Sequence, residues 1–312
     1  MSKNTVITII FVLGLLLISL AVFVLLRQTK PSSQILNSGK IQVVASLYPL
    51  SFFAQQIGGD KAHVTNIVPA GAEPHDYEPT AQDMATMENS QLIILNGSNL
   101  EGWGDTIKQN IDPGKTTIIT VSDGLATQQV TENGQTGIDP HIWLAPPLAE
   151  KIVAKLVQGF EQADPANAVY YQTNADILKS KLNDLDRAYK QGLSNCKEKN
   201  IITSHMAFSY LATTYGLNQV AIAGLSPDAE PSPQQLAGIV QFAKANSVKY
   251  IFFESLASPK LAQTIATEIG AQTLVLNPLE GLSDTELAQG ENYLTVMQNN
   301  LSNLQTALQC AK

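Results

Sequence analysis

Three of the four histidines in this chain lie where a binding site would form. His75 stands in Glu-Pro-His-Asp, His141 in Asp-Pro-His-Ile-Trp, and His205 directly follows a predicted strand. In open α/β sheets, ligands collect outside the carboxyl ends of the strands. Imidazole nitrogens at such a place predict a transition-metal site, and one added carboxylate would complete a tetrahedral set for Zn²⁺. The remaining histidine, His63, precedes a predicted strand and is expected at the surface.

A carboxylate for this set is available in the second half of the chain. The last predicted strand ends at Asn277 and is followed by Pro-Leu-Glu-Gly, which places Glu280 in a strand-end loop. Glu254, at the end of another predicted strand, is an alternative ligand. Three scattered histidines are weak support for a metal site by themselves, because solitary histidines are mostly surface or core residues. Acidic neighbours of the histidines could orient an imidazole or cap a loop, namely Glu73, Asp76 and Asp139.

The elements that must position these residues follow a repeating pattern. Short β-branched runs alternate with helical stretches, which is typical of βα units and a parallel sheet. Strands are predicted in the first half at 41–46, 64–68, 92–96 and 116–121. In the second half they are predicted at 201–204, 219–223, 250–254 and 273–277. We therefore predict an α/β fold of two lobes, each with a four-stranded parallel sheet flanked by helices.

A long helical stretch lies between the two halves. Asp164 is a good N-cap, Pro165 suits the first helical position, and apolar residues recur at helical spacing to about Ser194. About thirty residues would form a rod of about 45 Å. This predicts a spine helix that joins the lobes, with a long helix inside one lobe as the alternative. Residues 122–140 are predicted as a polar loop and 284–308 as one helix.

The N-terminus carries an uncharged apolar run from Val6 to Leu26. A run of this length can cross a hydrocarbon core of about 30 Å, whereas a cleaved signal peptide has an apolar core of about 7–15 residues. An uncleaved membrane anchor is favoured, and a removed signal is the alternative. The expected organisation is an anchor or signal at 1–30, a flexible tether at 31–40, an N-terminal lobe at 41–164, the spine at 165–195 and a C-terminal lobe at 196–312.

Composition and motifs argue against several classes of function. The formal net charge of −8 argues against a nucleic-acid binder, which would carry a basic face. The chain contains neither His-Glu-x-x-His nor Gly-x-Ser-x-Gly, so a zinc-dependent hydrolase with an open His₃ site is a weaker reading than a binding protein. Cys196 and Cys310 could form a disulfide in an oxidising compartment or remain two separate thiols.

Four segments carry a resemblance to a known family. They are 71–79 (GAEPHDYEP), 139–144 (DPHIWL), 204–208 (SHMAF) and 276–282 (LNPLEGL). With others between 41 and 310, they resemble the zinc-type cluster 9 metal-binding proteins of ABC importers. The resemblance implies two α/β lobes bridged by a long helix, with the metal held between them, and it implies a disulfide between Cys196 and Cys310.

The resemblance also implies a ligand set. His75, His141 and His205 take the three histidine positions of the family. Manganese-type relatives supply an Asp where this chain has Asn277, and an amide is a poor ligand for Zn²⁺. Zinc-type relatives with a similar Asn-Pro-Leu-Glu-Gly segment use its Glu, which implies Glu280 here, with water as the alternative fourth ligand.

The function implied is that of an extracytoplasmic, monomeric, non-enzymatic protein. It would bind Zn²⁺ and deliver the ion to the permease subunits of an ABC importer, with Mn²⁺ as the alternative metal. Many zinc-type relatives carry a His-rich acidic loop before the Asp-Pro-His motif. Residues 128–137 contain no histidine, so a function of that loop is not expected here.

Overall fold

The structure is a computed structural model and describes residues 39–132 and 135–311. Its first sheet has four parallel strands in the order β2-β1-β3-β4. These strands are β1 (Ile41–Ala45), β2 (Ala62–Asn66), β3 (Leu92–Leu95) and β4 (Thr117–Thr120). The helices between them are α1 (Tyr48–Gly58), α2 (Ala81–Glu88) and α3 (Gly104–Asn110). All four residues of β3 are buried, as expected of a strand covered on both faces.

A β-hairpin and one long helix complete the first half. The hairpin pairs β5 (Gln129–Glu132) with β6 (Gln135–Ile138) in antiparallel fashion. The prediction of a polar loop over 122–140 is wrong for these two strands, because the backbone N–H and C=O groups of their polar residues pair with each other. Helix α4 (Pro146–Ala163) then packs against β3 and β4.

The second half repeats the strand order of the first sheet. Its parallel strands lie in the order β8-β7-β9-β10. They are β7 (Asn200–Thr203), β8 (Asn218–Ala221), β9 (Tyr250–Phe253) and β10 (Gln272–Val275). The helices are α6 (Ser209–Tyr215), α7 (Pro233–Ala245), α8 (Lys260–Ile269), α9 (Asp284–Ala288) and α10 (Tyr293–Ala307), and α5 is the spine described next. The predicted fold class is confirmed.

The spine helix α5 runs over Ala168–Gly192, after a 3₁₀ turn at Pro165–Asn167. It contacts both halves of the chain. Asn174 donates to the carbonyl of Ile57 at 3.0 Å in the first half, and the Tyr189 hydroxyl donates to the carbonyl of Met297 at 2.7 Å in the second. A disulfide between Cys196 and Cys310 ties the start of the second half to the C-terminus.

Two other predictions differ from the structure or lie beyond it. The single helix predicted at 284–308 is two helices, α9 and α10, because Gly290 adopts a left-handed backbone with φ of 82° and Asn292 caps α10. The predicted anchor at 1–30 falls outside the described residues. Among the described residues, no helix has the length and apolar character needed to cross a membrane.

Candidate metal centre

Loops at the carboxyl ends of both sheets bring four predicted ligands together. One potential ligand atom from each of His75, His141, His205 and Glu280 lies within 4.8 Å of the other three. Oε1 of Glu280 lies 3.3, 2.9 and 3.1 Å from Nε2 of His75, His141 and His205. Three Nε2 atoms and one carboxylate oxygen therefore converge on one point.

His75 lies on the loop that follows β2 and is the most exposed member of the group. Its side chain is 10% exposed, against 0% for His141 and His205. Its backbone N–H donates to Glu73 at 3.3 Å. The amide of Gly71 donates to the carbonyl of Leu282 at 3.1 Å, so the loop of His75 is joined directly to the segment that follows Glu280.

His141 follows the hairpin β5–β6 and is held by Asp139. Oδ1 of Asp139 accepts from the backbone N–H of His141 at 2.9 Å and lies 2.8 Å from its Nδ1. The amide of Asp139 donates to the carbonyl of Gln128 at 2.9 Å, which closes the base of the hairpin. A carboxylate facing Nδ1 fixes a proton on that nitrogen, so Nε2 is the ring nitrogen that faces the group and can donate its lone pair to a metal once it is deprotonated.

His205 follows β7, and Glu254 follows the neighbouring strand β9. Oε1 of Glu254 lies 2.6 Å from Nδ1 of His205, and its side chain is buried. This position corrects the reading of Glu254 as an alternative ligand, because its carboxylate meets the far nitrogen of His205 and not the point where the Nε2 atoms converge. The position of Glu254 at a predicted strand end placed it correctly near the site. The sequence could not show whether its carboxylate binds the metal or holds the ring of His205.

The turn that carries Glu280 uses Asn277 as a structural residue. Oδ1 of Asn277 accepts from the amide of Leu279 at 2.7 Å, and its Nδ2 donates to the hydroxyl of Ser255 at 2.9 Å. Leu279 adopts a left-handed backbone with φ of 60°. The amide side chain thus stabilises a strained turn that presents Glu280 to the histidines.

Burial and charge oppose each other at these groups. Burial lowers the pKa of His141 and of His205, but the carboxylates of Asp139, Glu254 and Glu280 outweigh it and leave both pKa values raised. Burial raises the pKa of Glu280, yet the facing imidazoles bring it well below its usual value. Burial and the negative charge of Glu280 raise the pKa of Glu73 to about 8. A cation that binds the imidazole nitrogens must compete with protons.

Several residues that support the group escaped the sequence analysis. The hydroxyl of Tyr210 accepts from the amides of Thr127 and Gln128 and donates to the carbonyl of Asp139 at 3.1 Å. Asn96 donates to the carbonyl of Pro140 at 3.1 Å. These contacts join segments that are distant in the sequence, and no local sequence pattern predicts them. His63 lies within β2 rather than before it, and its side chain is exposed as expected.

Trp143 links the two halves of the site. Its indole N–H donates to the carbonyl of Pro278 at 2.8 Å, and the hydroxyl of Tyr293 donates to the carbonyl of Trp143 at 2.6 Å. Trp143 is fully buried, with its ring centroid 5.2 Å from that of His141. The expectation that it packs beside His141 is met, and it also fixes the loop of Glu280 from the first half of the chain.

The chain is similar in sequence to several known proteins. The family model described as "Zinc-uptake complex component A periplasmic", ZnuA, matches residues 43–307. The high-affinity zinc uptake system protein ZnuA of Bacillus subtilis is 40% identical over 280 residues, covering 86% of this chain and 88% of that protein. The zinc-binding lipoprotein AdcA of Streptococcus pneumoniae is 39% identical over 284 residues, which cover 88% of this chain but 57% of AdcA.

The same likeness holds in three dimensions. The crystal structure of the Zn(II)-bound ZnuA-like domain of Streptococcus pneumoniae AdcA aligns with a TM-score of 0.76 and 39% identity. The alignment covers 86% of this chain and 99% of that domain.

Proposed function

We propose that this chain, which belongs to the ZnuA family of zinc-uptake components, binds Zn²⁺ outside the cytoplasm and delivers it to the permease of an ABC importer. The proposal rests on one observation above all: three imidazole Nε2 atoms and one carboxylate oxygen converge between the loops of two sheets. Nitrogen and carboxylate ligands in a group of four suit tetrahedral Zn²⁺.

The proposed ligands are His75, His141, His205 and Glu280. The engagement of Asn277 in the turn supports Glu280 as the fourth ligand, because the amide is already occupied by Leu279 and Ser255. Mn²⁺ is the alternative metal, but it prefers more oxygen ligands than one carboxylate supplies.

Reversible binding, and not catalysis, fits this ligand set. Catalytic zinc sites use three protein ligands and keep the fourth position for water or substrate. Four protein ligands close the coordination sphere, and burial of three of them restricts access by a substrate. We therefore propose a binding protein whose cargo is the metal ion.

The way the two halves share the site supports the proposal of delivery to a permease. Two ligands come from each half of the chain, so the presence of metal is coupled to the placement of the loops of both sheets. The spine helix α5 contacts both halves, which favours small loop shifts over a large hinge motion as the signal to the permease. We propose a monomer held at the outer face of the membrane by its N-terminal segment.

Metal competition on the full chain in detergent tests the function. We expect Zn²⁺ to bind more tightly than Mn²⁺ in chelator competition. Glu280→Gln should weaken Zn²⁺ binding by more than about 100-fold, since loss of an outer partner alone costs about 10–100-fold. Glu268→Gln is the matched control, because this exposed carboxylate pairs with Lys244 and is not one of the proposed ligands. Tighter Mn²⁺ binding would favour the manganese alternative, and an unchanged affinity in Glu280→Gln would refute the ligand assignment.

A further inference from the structure

Two of the three imidazoles in the metal centre are held from behind by buried carboxylates. Asp139 lies 2.8 Å from Nδ1 of His141, and Glu254 lies 2.6 Å from Nδ1 of His205. Both carboxylates are almost completely buried, at 0% and 4% exposure. A charge-assisted hydrogen bond of this kind orients the ring and raises the basicity of the opposite nitrogen.

The two carboxylates are themselves well fixed. Asp139 also accepts from the backbone of His141, and its own carbonyl accepts from the hydroxyl of Tyr210. Its Oδ2 is buried and has no hydrogen-bond partner among the described residues, so its polar contacts are directed through Oδ1 at His141. Glu254 follows β9, which pairs with a strand on each side. These supports set the two rings before any metal binds.

His75 differs from the other two histidines in this respect. Within the described ranges, its Nδ1 meets no hydrogen-bonding group, and its only side-chain hydrogen bond is that of Nε2 with Glu280. It is also the one histidine of the three with an exposed fraction. The orientation of its ring therefore depends on packing and on the group at its Nε2.

We propose that Asp139 and Glu254 are positioning residues that hold His141 and His205 as a preset pair, and that His75 is the ligand whose ring turns to complete the site. This inference rests on the zinc-binding function proposed above. Zinc affinity then depends in part on residues that do not contact the ion. The loop after β2, which carries His75, is the part of the site that moves when zinc binds.

Affinity measurements on Glu254 variants test the positioning function. Glu254→Leu removes the hydrogen-bond acceptor at similar size and should weaken Zn²⁺ binding by about 10–100-fold. Glu254→Gln keeps an acceptor oxygen at the same reach and should recover most of the loss. Asp228→Asn is the matched control, because Asp228 lies within electrostatic range of His75 but is not hydrogen-bonded to any of the three imidazoles in the described structure. Parent-like affinity in Glu254→Leu, or an equal loss in Asp228→Asn, would overturn the proposal.

Imidazole NMR of the ¹⁵N-histidine-labelled full chain, free of metal, tests the asymmetry. The Nδ1–H protons of His141 and His205 should exchange slowly with water, whereas that of His75 should exchange too fast to be seen. Equal protection of all three would refute the inference about His75. A parent that fails to bind Zn²⁺ would instead refute the proposed function, so the two failures are distinguishable.

Discussion

Replacing Trp143 by Phe tests whether the contact between the two halves controls the metal centre. The substitution keeps an aromatic ring beside His141 but removes the N–H that donates to the carbonyl of Pro278 at 2.8 Å. Pro278 lies two residues before Glu280, in the turn stabilised by Asn277. The perturbation therefore acts on the position of one proposed ligand from the opposite sheet.

The expected loss can be worked from two contributions. A buried carbonyl left without a donor costs about 1–3 kcal/mol. The smaller ring of Phe buries about two fewer carbons, at about 0.8 kcal/mol each. The free energy of unfolding should fall by about 3–5 kcal/mol, which a domain of ordinary stability survives. If the net worth of the hydrogen bond, about 0.5–1.5 kcal/mol, is transmitted to the site, Zn²⁺ affinity should fall by about 2–10-fold.

Urea denaturation and chelator competition on the full chain measure the two effects separately. Tyr189→Phe is the control, because it removes another buried donor, from the carbonyl of Met297, in a part of the fold that carries no proposed ligand. The control should lose stability and keep its Zn²⁺ affinity. If Trp143→Phe loses stability but binds Zn²⁺ as tightly as the parent, the indole is a packing residue and the proposed coupling between the halves is wrong.

Two further outcomes are expected. Zn²⁺ affinity should keep rising as the pH increases past the ordinary histidine range, because the raised pKa values of His141 and His205 leave protons in competition with the metal. Chelator titrations from about pH 6 to 9 measure this dependence. An affinity that stops rising near the ordinary imidazole pKa of about 6.5 would contradict it. Replacing Cys196 and Cys310 together by Ser should lower the free energy of unfolding by about 4–5 kcal/mol, because the disulfide spans a sequence separation of 114; urea denaturation measures the loss, and an unchanged midpoint would show that the bridge contributes nothing.

The sequence predicts the strands well because their signal is local. Runs such as 92–96 and 250–254 are apolar and β-branched or aromatic, and the observed strands β3 and β9 begin at the predicted residues. The runs 201–204 and 250–254 place His205 and Glu254 at strand ends. The convergence of distant loops could be expected from the general rule for open α/β sheets.

The predictions that were wrong concern features that depend on contacts between distant segments or on single residues. The hairpin β5–β6 is polar and carries no apolar alternation, so its pairing could not be distinguished from a loop. The break between α9 and α10 depends on the backbone of Gly290, within a stretch whose apolar stripe continues in the sequence. The pairing of β7 with β9 brings Glu254, which follows β9, beside Nδ1 of His205, which follows β7. Neither strand's sequence shows this contact by itself.

Because the base of the β5–β6 hairpin is closed, the length of the chain between these two strands does not set the position of His141, which follows the hairpin. Both ends of the segment before His141 are fixed. Gln129 pairs with Ile138, and the amide of Asp139 donates to the carbonyl of Gln128. Chain inserted between β5 and β6 would add only a slowly growing closure entropy, about 0.6 kcal/mol for each doubling of length. A longer or differently charged graft at this point, such as a metal-collecting tail or a spectroscopic label, should therefore leave the coordination geometry unchanged, which makes the hairpin the natural place to engineer a reporter.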